Sequence, residues 1–67
     1  MNAKQFLDLY GKERATKVAE DAGTSFAYFG QLVTGNRRPS PKLAEKLVMA
    51  SEGDLDFVSL LKFRPAA

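Results

Sequence analysis

The chain has 67 residues, a net charge of +2, and neither cysteine nor histidine. That size supports one domain with a thin core. The missing residue types exclude disulfides, thiolate or imidazole metal sites, and any chemistry built on a thiol or an imidazole. Apolar residues at 45% and charged residues at 27% make a globular composition rather than a disordered one. Residues 1–67 are therefore expected to form a single binding module. An enzyme is not expected, nor is a cofactor, a metal or a small-molecule substrate.

The charge is unevenly placed. Residues 36–50 hold Arg37, Arg38, Lys42 and Lys46 against Glu45 alone, whereas cations and carboxylates balance over residues 1–35. A local cationic excess of this kind suits an anionic partner. No apolar run approaches the roughly 20 residues that span a bilayer, and no leader pattern stands at the start. A cytoplasmic protein with no membrane partner is expected.

Taken in chain order, Asn2 is a candidate cap for a first helix, with Phe6, Leu9 and Tyr10 on one face and Gly11 as its stop. A second helix over about residues 14–22 carries a stripe of small residues, Ala15, Val18, Ala19 and Ala22, which lets a partner helix approach closely. Gly23 breaks it, and Thr24-Ser25 supplies a capping hydroxyl for a third helix from Phe26 to Val33. Gly35-Asn36 ends that helix, and Asn36-Arg37-Arg38-Pro39 reads as a basic loop. Ser40-Pro41 starts a fourth helix in the favoured cap-then-proline order, with Leu43, Ala44, Leu47 and Val48 as its core face. After a break at Ser51-Glu52-Gly53, Asp54 is a candidate cap for a last helix through Leu61, packed by Leu55, Val58 and Leu61. The alternation of Leu55, Phe57, Ser59, Leu61 and Phe63 fits a C-terminal strand or hairpin equally. The expected class is all-α, a bundle of about five short helices, with the strand or hairpin as the alternative for the fifth.

The informative stretch is Ala15 to Ser40. Two short helices meet there through a turn containing Gly23, the sequence form of a helix-turn-helix. Ala19 falls where the helices would cross, and Phe29 and Leu32, with Val33, turn the third helix toward the core. This stretch resembles the helix-turn-helix of the phage Cro and repressor superfamily. The run Tyr10-Gly11, Ala19, Gly23, Gly35 and Arg37-Arg38-Pro39 is similar to small Cro-like proteins of the YdaS type.

Helical geometry places Ala27, Gly30, Gln31 and Thr34 opposite Phe29 and Leu32, with Phe26 and Tyr28 at the flanks. Ala27 and Gly30 present little bulk, so such a helix fits deep in a major groove. Gln31 has the amide that pairs with adenine N6 and N7, and Phe26 suits a thymine methyl. Packing against a neighbouring helix is the competing role for Phe26, and covering the core edge is that for Tyr28. The resemblance implies that positions matching Phe26, Ala27, Gly30 and Gln31 read bases. Phe26 and Ala27 are apolar where that family often has polar residues, which implies modest specificity; Thr24 replaces a usually apolar residue of the turn.

Candidate phosphate contacts are Lys12, Arg14, Thr16 and Lys17 around the start of the second helix, then Ser25 and Tyr28, and Asn36, Arg37 and Arg38 in the basic loop. Glu13, Glu20 and Asp21 lie at helical spacing on a polar face and receive no catalytic or metal role. The function expected is a sequence-specific double-stranded DNA-binding regulator, a phage or prophage Cro-like repressor. A homodimer on an operator of two half-sites is expected, formed through Leu55, Phe57, Leu60 and Phe63. The rival is an antitoxin-like protein-interaction module that uses the same helical face.

Overall fold

Asn2 opens the first helix. Its side chain accepts a hydrogen bond from the Gln5 backbone N–H at 2.8 Å, and the Gln5 side chain accepts one from the Asn2 N–H at 2.9 Å, a reciprocal capping box. The helical span α1 (Ala3–Asp21) is broken at Gly11, where the sequence places a stop. Gly11 takes φ 87° and ψ 176°, outside the helical region, so α1 is kinked into two limbs. The computed structural model describes residues 1–63 and holds α1, α2 (Phe26–Thr34), α3 (Pro41–Ala50) and α4 (Phe57–Lys62). Among the described residues there are four helical spans, and the two helices expected around Gly11 are the two limbs of α1.

Phe6 is fully buried on the first limb, against Tyr10 at 4.9 Å between ring centroids and edge-on to Phe29 of α2 at 6.0 Å. Leu9, expected on the same face, is 65% exposed. Positions 3 and 6 define the buried side there, and the rotation of a helix carries position 9 off it. On the second limb Ala15, Val18 and Ala19 are buried as their spacing indicates, and α2 packs on α1. Two reverse hydrogen bonds end α1, from Thr24 N–H to the Ala19 carbonyl and from Gly23 N–H to that of Glu20, both 2.9 Å. This is the Schellman arrangement, and it needs the positive φ of 86° that Gly23 supplies.

Ser25 caps α2 by accepting from Tyr28 N–H at 3.2 Å, and Gly35 closes it in the left-handed conformation. Phe29 and Leu32 face inward. Ser40 caps α3 in the same way, through Leu43 N–H, with Pro41 in the first turn. Helix α3 sends Ala44 and Leu47 into the core and packs against α1 and α4. Ser51, buried just after it, donates its hydroxyl to the Val48 carbonyl at 3.0 Å and accepts from Leu55 N–H at 2.9 Å. A polar group at the centre of so small a core is tolerated because both of its bonds are made.

The C-terminal segment is helical, and no strand occurs among the described residues; of the undecided stretch 54–64, only Arg64 lies outside them. Its cap is Asp56, not Asp54: Asp56 accepts from Ser59 N–H at 2.8 Å. Asp54 is drawn instead to Arg14, 2.6 Å away. Val58, expected to pack, is 53% exposed, while Leu55 just before α4 and Leu60 within it are buried at 0% and 3%. The dimer surface expected through Leu55, Phe57, Leu60 and Phe63 is therefore corrected. Leu55 and Leu60 belong to the chain's own core and leave half-buried Phe57 and Phe63 beside it.

The Asp56 cap makes one pH dependence. Its carboxylate sits below its ordinary value, chiefly through the hydrogen bond from the Ser59 backbone. A depressed folded-state value gives stability that is present above the unfolded pKa and lost as pH falls through the folded one. Acid titration followed by circular dichroism is expected to show α4 loosening below the ordinary carboxylate range. Asp56→Asn keeps a capping oxygen and is expected to flatten that part of the curve; an unchanged curve would remove Asp56 as its source.

Candidate nucleic-acid interface

The face of α2 opposite Phe29 and Leu32 is open. Ala27, Gln31 and Thr34 are exposed, and Gly30 between them is half-buried. A Cβ placed on Gly30 would meet nothing within 4 Å, so no packing inside the molecule requires glycine there. The Thr34 hydroxyl turns back to donate to the Gln31 carbonyl at 3.2 Å. The same carbonyl accepts from Arg37 N–H at 3.3 Å, which folds the basic loop against the end of α2. Pro39 is buried and anchors the far side of that loop, leaving Asn36, Arg37 and Arg38 exposed.

The other expected phosphate contacts are in mixed positions. Arg14 is the clearest correction: its guanidinium donates to Asp54 at 2.6 Å and to the Ser51 carbonyl at 3.3 Å, and lies over the Tyr10 ring at 4.0 Å. The Asp54 hydrogen bond leads the effects that raise its pKa above the ordinary arginine value. Arg14 is thus committed to joining α1 to the segment between α3 and α4. Thr16 gives its hydroxyl to the Lys12 carbonyl at 2.8 Å, and Ser25 uses its own as the α2 cap. Lys17 is exposed, 3.9 Å from Asp21 in a loose pair one helical turn along. Tyr28 is half-buried at the core edge.

Phe26 is half-buried as well, and the Lys12 ammonium stands 5.2 Å from its ring centroid. A spacing of fourteen residues gives no local signal for such a contact; only the packing of α2 on α1 brings the two together. The Arg14–Asp54 pair, forty residues apart, was equally invisible.

Among the described residues no cluster of acidic side chains is built to hold a metal, and no helix is long and apolar enough to cross a membrane. Two open hollows of about 460 and 370 Å³ flank Met49 on α3, and no α2 residue lines either. Comparison with protein-family models finds no match, and comparisons with curated proteins and with solved structures find none either.

Proposed function

We propose that the chain is a sequence-specific double-stranded DNA-binding regulator of the phage or prophage Cro-like repressor kind. The second limb of α1 and α2 act as its helix-turn-helix, and α2 enters the major groove. One observation carries this reading: a low-bulk helical face, with Ala27, Gln31 and Thr34 exposed and Gly30 half-buried between them, runs directly into an exposed pair of arginines. A helix must be slim to lie against base edges, and cations beside it meet the phosphates that border the groove. Gly30 fits the same reading, because a glycine inside a helix costs about 1 kcal/mol relative to alanine and the fold gives it no compensating contact. A homodimer on two half-sites belongs to the proposal, since one module of this size reads only a few base pairs. Its contact surface lies elsewhere than on Leu55 and Leu60.

Two substitutions test the reading face. Gly30→Ala is expected to stabilise the free chain by about 1 kcal/mol, because the new methyl meets only solvent, and to weaken duplex binding by adding bulk where bases approach. Raised stability with unchanged affinity would place α2 outside the groove. Gln31→Ala is expected to cost about 1–3 kcal/mol on a duplex selected from a random pool, and little on an unrelated one. Equal losses on both would show that Gln31 reads no base. The selected sequences also report the dimer, as a motif repeated about 10 base pairs apart; a motif in single copy would mean a monomer.

A further inference from the structure

We infer that Lys12, seated on the Phe26 ring, is the phosphate contact contributed by α1 in the place expected of Arg14, with Phe26 serving as its platform. The inference rests on the DNA-binding reading above and names a contact within it.

The second limb of α1 begins with two cations close together, Lys12 and Arg14, and their surroundings differ. Arg14 is partnered four ways, by the Asp54 carboxylate, the Ser51 carbonyl and the Tyr10 and Phe6 rings. A phosphate would have to compete with a carboxylate already bound at 2.6 Å, so the positive charge of Arg14 is locally cancelled. Lys12 is exposed, and the ion pairs found among the described residues, Lys4–Asp8, Arg14–Asp54 and Lys17–Asp21, leave it out. What holds it is the Phe26 ring, 5.2 Å from its ammonium. An aromatic face attracts a cation without neutralising it and removes part of its water. A lysine so placed keeps its full charge, has fewer conformations to lose, and is less costly to desolvate when an anion arrives.

The position matters as much as the charge. Phe26 is the first residue of α2, so its ring fixes the Lys12 ammonium beside the start of the helix proposed to read bases, while Arg37 and Arg38 follow its end. The helix is thus flanked by cations at both ends, which matches the two phosphate backbones bordering a major groove. Phe26 packs against the core as a half-buried residue, and with a lysine over its face the ring serves to position that cation.

The test measures affinity for a 20-base-pair random-sequence duplex across a series of salt concentrations. Lys12→Met keeps the aliphatic stem on the ring and removes the charge. It is expected to reduce the slope of log affinity against log salt by about 0.9, the value for one phosphate, and Lys12→Arg is expected to restore it. Phe26→Leu should leave the slope unchanged, because the charge remains, while weakening affinity through the lost positioning of the ammonium. Arg14→Met, checked for folding by circular dichroism, is expected to leave the slope alone. A wild-type slope in Lys12→Met, or a slope lowered in Arg14→Met instead, would overturn the assignment while leaving the DNA-binding reading intact. Absence of duplex binding by the unaltered chain would instead remove that reading, and the assignment with it.

Discussion

Phe29→Ala is expected to lower the urea midpoint of the chain far below that of the parent. The Phe29 ring is wholly buried, edge-on to Phe6 across the contact between α2 and α1. Truncating a phenylalanine in such a place costs about 3–5 kcal/mol, part from lost transfer energy and part from the cavity left behind. A domain of this length has a total stability of roughly 3–10 kcal/mol at typical values per residue, so one ring is a large share of the whole. Phe29→Leu, which keeps much of the volume, is expected to remain folded with a lowered urea midpoint and an unchanged slope. A Phe29→Ala midpoint near that of the parent chain would show that α2 is not held through this ring. Any study of the α2 surface would then need a different anchor.

The second large effect concerns binding. Replacing Arg37 and Arg38 together by alanine is expected to lower the salt slope by about 1.8, two phosphates at about 0.9 each. At 0.1 M salt this corresponds to a loss on the order of 60-fold, reckoned from the 1 M reference where the ionic contribution vanishes. Both side chains are exposed, and the loop is held through the Arg37 backbone N–H and buried Pro39. Folding should therefore survive the change, as a thermal melt would verify. The loss should be similar on selected and unrelated duplexes, because phosphate contacts carry no base information. A loss confined to the selected duplex would make the arginines base readers and require a different docking.

Much of the fold was legible because it is set by short-range rules. Asn2, Ser25 and Ser40 cap their helices through groups three residues away, and Gly23 and Gly35 close theirs with positive φ. The alternation of Ala15, Val18 and Ala19 showed which side of α1 faces inward. What could not be read was decided at a distance. Asp54 was the cap that the sequence indicated, but Arg14 pairs with it across forty residues and Asp56 starts α4 instead. Val58 turns outward and Leu60 lies in the core. Gly11 was legible as the end of the first helical limb, and its positive φ breaks α1 there. The outward face of α2 followed from helical periodicity alone, whereas the partners of Lys12 and Arg14 depended on tertiary packing.

The most direct test of the central claim is a map of backbone amide chemical shifts as duplex DNA is titrated into the labelled chain at low salt. The perturbed amides are expected to cluster over residues 26–38 and around Lys12, with α3 and α4 nearly unaffected. No perturbation, or one centred on the hollows beside Met49, would contradict a DNA-reading role for α2.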